Sequence, residues 1–140
     1  MIVCIDTNVF IQASKAGHPL SKIFAGWLAR RFQWAVSNDI LTEYQEMLTQ
    51  RSGRLRWLQF SRALDLAEKR GGMLVRANPS YHFQIVSIDP DDNKFTDCAI
   101  AADADFVITN DHHFKPLAGS GYKPQPITPE EFIRQHLPHI

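Results

Sequence analysis

Apolar and polar positions along the chain fall into short blocks of two kinds. Ile2-Val3-Cys4-Ile5, Trp34-Ala35-Val36 and Phe106-Val107-Ile108-Thr109 are brief apolar runs rich in β-branched or aromatic residues. Such runs predict strands buried on both faces. Met73-Leu74-Val75, Ile85-Val86-Ser87-Ile88 and Pro126-Ile127 predict shorter extended segments. Between them the period changes to 3.6. Residues 9–13 predict a short helix, broken by Gly17-His18-Pro19. Ile23, Phe24, Trp27, Leu28 and Arg31 set a helix over 20–32. Residues 37–48 predict a strong helix, capped by Ser37 or Asn38, with Ile40, Leu41, Tyr44, Met47 and Leu48 as its apolar face. Glu46 points away from that face, and Glu43 lies on its border. After a loop at 50–53, residues 55–70 form a helix with Leu58, Ala63, Leu66 and Ala67 inward, ended by Gly71-Gly72. Residues 112–124 read as loop. Thr128, Pro129 and Glu131 make a capping box for a last helix running to about residue 137.

Strands that alternate with helices point to an α/β fold with a mainly parallel sheet and helices on both faces. In such sheets the functional crevice lies beyond the carboxyl ends of the strands. The polar residues there are mostly acids. Asp6 ends the first strand and Asp111 follows the strand at 106–109. Glu43 sits about one turn into the helix after the strand at 34–36. The stretch Asp89-Pro90-Asp91-Asp92-Asn93 reads as a turn leading into a helix capped by Asp92 or Asn93. Phe95, Cys98, Ala99 and Ala102 form that helix's buried stripe, with Asp97 off the stripe near the helix start. Turn chemistry alone accounts for Asp91, which is assigned to solvent.

Composition narrows the class. The chain has 140 residues, 44% hydrophobic and 21% charged, which fits one soluble domain over 1–140. No apolar run approaches the roughly 20 residues that span a bilayer, and no leader pattern opens the chain. Cys4 and Cys98 lie in apolar segments without CxxC spacing, as reduced core residues of a cytoplasmic protein would. Net charge is zero, but its distribution is uneven. Residues 1–85 hold eleven Lys and Arg against six acids, and 86–140 hold four against nine. Arg51, Arg54, Arg56, Arg62, Lys69 and Arg70 crowd one stretch, for which a solvated helix face is the plainer reading.

Four carboxylates at one sheet edge repel each other, and a divalent cation resolves the repulsion. No His/Cys cluster suggests zinc; adjacent His112 and His113 lack helical metal-pair spacing and read as surface. Oxygen ligands suit Mg²⁺ or Mn²⁺, which activate water and clamp a phosphodiester.

At this point IVCIDTNV (2–9), SNDILTEYQEML (37–48), DPDDNKFTDCAIAA (89–102) and ADFVITNDHHF (104–114) together resemble the four motif regions of PIN-domain proteins. They look most like the toxins of bacterial toxin–antitoxin modules. The resemblance covers nearly the whole chain, and its strength lies in the order of the four motifs. It implies a PIN-like three-layer α/β/α fold and a metal-dependent ribonuclease acting on single-stranded RNA. The implied catalytic and metal-binding quartet is Asp6, Glu43, Asp97 and Asp111, with Mg²⁺ or Mn²⁺. Asn8, Asp92, Lys94, Thr109 and Asn110 match supporting positions. A small antitoxin protein and a homodimer are the implied partners.

Other readings meet specific obstacles. Haloacid-dehalogenase chemistry needs a second Asp two residues after Asp6, where Asn8 stands. A phospho-acceptor receiver domain needs an acidic pair after the first strand, where only Asp6 stands. A PIN-like module that binds RNA or protein without turnover remains the alternative to the enzyme. On simpler grounds Thr7 or Asn8 only caps a helix, Lys94 only pairs at a surface, and Trp27, Trp34 and Trp57 belong to core or interface.

Overall fold

The computed structural model describes residues 1–86, 90–118 and 120–140. The expected extended residues Ser87 and Ile88, the turn residue Asp89 and the loop residue Gly119 lie outside them. Five strands, β1 (Ile2–Ile5), β2 (Gln33–Val36), β3 (Leu74–Arg76), β4 (Phe106–Ile108) and β5 (Gln125–Ile127), form one sheet in the order β3-β2-β1-β4-β5. Every pairing is parallel, with Val3 opposite both Trp34 and Phe106. The order reverses at β1, between the halves that run outward to β3 and to β5. Right-handed crossovers in opposite directions place their helices on opposite faces of a sheet, which gives three layers.

The helices are α1 (Thr7–Ala13), α2 (Ser21–Leu28), α3 (Asn38–Ser52), α4 (Arg54–Lys69), α5 (Asn93–Ala101), α6 (Lys115–Ala118) and α7 (Pro129–His136). An aromatic cluster fills the space over β2. Phe10 stacks on Tyr44 at 4.1 Å, and Phe24, Trp27, Phe60 and Trp34 close around them. Trp27 and Trp34 are buried, so the core assignment of both rings holds. A second cluster joins Phe32, Phe106 and Phe132, seating α7.

Several boundaries differ from the sequence reading. The helix over 20–32 stops at Leu28, and Arg30 enters the left-handed region at φ 62°. α3 continues through the expected loop as far as Ser52. Residues 112–124 are not all loop: a 3-10 turn, His112–Phe114, runs into α6, whose Pro116 stands in the first turn where a missing N–H is tolerated. Thr128 Oγ1 accepts from Glu131 N, as expected of a cap. The Glu131 side chain turns instead to Arg134 and Gln135, which pull its carboxyl down to about 2, so the capping box is only half closed. Ser37 caps α3 by accepting from Ile40 N. Among the described residues no helix is long and apolar enough to cross a membrane.

Candidate active site

Asp6 follows β1 at the point where the strand order reverses. Its N–H donates to Ile108 O at 2.9 Å, extending the ladder one residue and setting Asp6 beside the end of β4. The side chain is 5% exposed. Thr109 Oγ1 donates to Asp6 Oδ2 at 2.7 Å and accepts from Asp111 N at 2.9 Å. Asp111 Oδ1 in turn accepts from His113 N at 2.9 Å, capping the 3-10 turn. One buried hydroxyl thus couples the two strand-end acids. Burial pushes the Asp6 carboxyl above its ordinary range. The Thr109 hydroxyl and a backbone hydrogen bond involving Thr7 oppose this, while the charges of Asp111 and Glu43 add to it.

Glu43 comes from α3. The adjacent Tyr44 hydroxyl donates to Ile5 O, which pins this part of α3 over the end of β1. Glu43 Oε2 accepts from the Thr7 hydroxyl, and Glu43 Oε1 lies 2.8 Å from Lys94 Nζ on α5. Partial burial works against the Lys94 charge, but Glu43, with the charges of Asp91 and Asp39 adding to it, outweighs it and holds the ammonium pKa up.

Asp97 lies within α5 and is buried, contrary to the expectation that it stands off the buried stripe. The segment after β3 covers it: Phe83 N–H donates to Asp97 Oδ1 at 3.0 Å, and His82 Nδ1 stands 3.1 Å from Asp97 Oδ2. Asp97, His82, Lys94 and Glu43 face one cleft of about 460 Å³, with Asp39, Glu46 and Asp91 also on its walls. Asp91 is exposed, as expected, but at the cleft rather than on remote surface.

The quartet therefore falls into two overlapping groups. Asp111 and Glu43 both act electrostatically on Asp6, while Glu43 and Asp97 share the cleft. Among the supporting residues, Thr109 and Lys94 bond to quartet acids. Asp92 stands 3.8 Å from His113 Nδ1 and occupies the N-cap position of α5 without a side-chain cap bond. Asn93, the other expected cap, exchanges hydrogen bonds with the Val86 backbone. Asn8 and Asn110 are exposed.

Three contributors were not predicted as site residues: Thr7, taken only as a cap; His82, in a segment without periodicity; and His113, taken as surface. His113 Nδ1 is 3.3 Å from Asp111 Oδ1. Asp111, His112 and His113 place donor atoms within 4.8 Å of one another, but their two imidazoles suit a softer ion than Mg²⁺. Among the described residues, no three quartet carboxylates close to that spacing. The acids line one edge rather than a point, and Asp6, buried and near the charges of Asp111 and Glu43, is a carboxylate whose charge a hard cation would offset. The donor set, all carboxylate and hydroxyl oxygen, fits such an ion.

Comparisons with known proteins bear on this arrangement. Residues 2–113 match the PIN domain family. No curated protein matches the chain. The chain is similar to one in the crystal structure of VapBC2 from Rickettsia felis bound to a DNA fragment from their promoter. That match has a TM-score of 0.58 at 18% identity and covers 91% of this chain and 99% of the other. At that identity the likeness speaks for the fold. A family match over most of the length decides the rest: the chain belongs to the PIN-domain family, whose members are generally nucleases and typically use divalent metals.

Proposed function

We propose that this chain is a metal-dependent endoribonuclease that cleaves phosphodiesters of single-stranded RNA, as the toxin of a toxin–antitoxin module. The observation that carries the reading is the Thr109 hydroxyl that joins Asp6 to Asp111 at the reversal of strand order, where α/β sheets bind ligands. Asp6, Glu43, Asp97 and Asp111 would hold Mg²⁺ or Mn²⁺. Such an ion, when bound, supplies an activated water and a charge clamp on the phosphate. The protein's own contribution is positional. Thr109 fixes one oxygen of Asp6 and the backbone of Asp111 together. Thr7 and Lys94 fix Glu43, and His82 and Phe83 fix Asp97. Lys94 is the ammonium within reach of a phosphate entering the cleft.

A single PIN-like domain over 1–140, acting in the cytoplasm, is part of the proposal. So are a small antitoxin and a second copy of the chain as partners. The similar solved chain comes from VapBC2. Contrary to the inward face expected over 55–70, α4 buries Leu64 and exposes Leu58 and Leu66, and with Leu28 of α2 and Leu55 these are apolar residues of the kind that partners cover. The test is cleavage of a single-stranded RNA panel with Mg²⁺, Mn²⁺ or chelator. Metal-restored cleavage is expected. RNA binding without cleavage under any metal would make the chain the non-catalytic alternative, a PIN-like RNA- or protein-binding module.

A further inference from the structure

The segment that grips Asp97 also presents aromatic rings. Tyr81 and Phe83 lie with centroids 4.9 Å apart at 64°, and Phe83 and Tyr122 lie 5.3 Å apart at 70°. The three rings form a row. Its middle member, Phe83, is bonded through its own N–H to Asp97, so the row adjoins the cleft wall at its middle. Both ends are open to solvent, Tyr81 at 64% and Tyr122 at 37%. Gln84, directly after Phe83, holds φ at 54°, a left-handed conformation that non-glycine residues seldom adopt and that gathers at working sites.

Proteins hold single-stranded nucleic acid by neutralising phosphates and by stacking bases on aromatic rings. The first source is weak here. Net charge is zero, and the cleft walls set Asp39, Glu43, Glu46, Asp91 and Asp97 against Lys94 and His82. Lys94 is already held by Glu43. The cleft walls thus offer a strand little for its phosphates beyond Lys94 and a bound ion, and the adjoining row supplies ring faces for its bases.

We propose that Tyr81, Phe83 and Tyr122 form a stacking track for the unpaired bases of single-stranded RNA, running beside the acidic cleft; this rests on the nuclease reading of that cleft. Bases stack on the exposed faces of Tyr81 and Tyr122, with Phe83 as the partly covered ring between. Recognition is tolerant of sequence, because every base has a face, and it excludes duplexes, whose bases are already stacked.

The test is fluorescence anisotropy with the full chain in Ca²⁺, using a labelled twelve-nucleotide uridine strand (about one binding site), an abasic strand of equal length and a duplex. The uridine strand should bind at least about tenfold tighter than the abasic strand or the duplex. Tyr81→Leu and Tyr122→Leu should each weaken uridine binding by roughly tenfold without moving abasic binding. Tyr81→Phe should restore it, since the ring and not the hydroxyl stacks. Equal binding of uridine and abasic strands overturns the track, as do leucine variants that bind like the wild type. Leucine variants that alter self-association but not strand binding also overturn it, and make the row a protein contact. Cleavage is read separately, on replacing Ca²⁺ with Mg²⁺ or Mn²⁺. Base-dependent binding without cleavage would therefore sink the nuclease reading while the track stands.

Discussion

Lys94 Nζ lies 2.8 Å from Glu43 Oε1, joining α5 to α3 across the cleft. The lysine thus neutralises an acid that a divalent cation would also claim. Lys94→Met keeps the length of the side chain and removes the charge. With that competitor gone, Mg²⁺ should bind several-fold tighter, as expected for a partly exposed pair worth about 1 kcal/mol or less. The phosphate meanwhile loses a cation, so KM for RNA should rise. Isothermal titration with Mg²⁺ and steady-state cleavage check the two effects. Weaker Mg²⁺ binding in Lys94→Met would show that Lys94 orders Glu43 rather than competing for it.

Thr109 occupies a comparable position on the buried side. Its hydroxyl donates to Asp6 and accepts from Asp111 N, so Thr109→Val leaves a buried carboxylate and a backbone donor each short of a partner. The expected cost is about 1–3 kcal/mol. The hydroxyl holds the Asp6 carboxyl down against burial, and its loss raises that carboxyl further. The deficit should be full near neutral pH and shrink as pH falls through the raised Asp6 pKa, where the carboxyl becomes neutral. Denaturant unfolding in chelator at neutral and acid pH checks this. An equal deficit at both would mean that the bond does not depend on an ionised Asp6.

A third expectation concerns the packing of α7 on α2. A Cβ at Gly26 would lie 2.6 Å from Leu137 Cδ2 and 2.8 Å from Cδ1. Leu137 is buried, so Gly26→Ala overpacks the contact at about 1–3 kcal/mol, less up to about 1 kcal/mol gained in helix propensity. Leu137→Ala alone opens a cavity at about 2–5 kcal/mol. Since the new methyl fills part of that space, the double variant should lose less than the sum. Additive losses in urea unfolding would assign the glycine another role.

How much of this was legible in the sequence depends on how local each feature is. Asp6 and Asp111 follow short apolar runs, and a strand end is readable from such a run. The pairing of β1 with β4, and hence the meeting of the two acids, follows from the parallel α/β order. Asp97 shows the limit. Its helix periodicity puts it off the apolar stripe, yet it is buried because the residues after β3 fold over it and supply His82 and Phe83 N–H. That cover comes from a segment with no period, so nothing in the pattern around Asp97 announces it. The bond from Lys94 to Glu43 likewise depends on two helices crossing, whereas the neighbouring sequence suggested only nearby surface acids.

The last prediction concerns Asp6 itself. The Asp6 carboxyl is raised above its ordinary value of 3.8, so the folded chain binds its proton more tightly than the unfolded chain does. Ionised Asp6 therefore opposes folding. The penalty is full above the folded pKa and disappears once pH falls below the unfolded value. Asp6→Asn keeps the shape and an acceptor for Thr109 while removing the charge. In chelator near neutral pH the variant should melt at or slightly above the wild type, and the advantage should vanish toward pH 4 and below. Divalent metal should reverse the order. A ligand at a hundred times its Kd stabilises by about 2.7 kcal/mol, and the variant, with a weakened site, should gain less. Cleavage of single-stranded RNA should fall by about two orders of magnitude or more, because the charge of Asp6 would hold the ion that supplies nucleophile and clamp. Melting curves with and without Mg²⁺ or Mn²⁺, run beside the cleavage assay, separate folding from chemistry. A folded Asp6→Asn protein that cleaves like the wild type, or wild-type cleavage that survives chelator, would remove the metal-dependent reading and leave a PIN-domain chain whose acids serve another end.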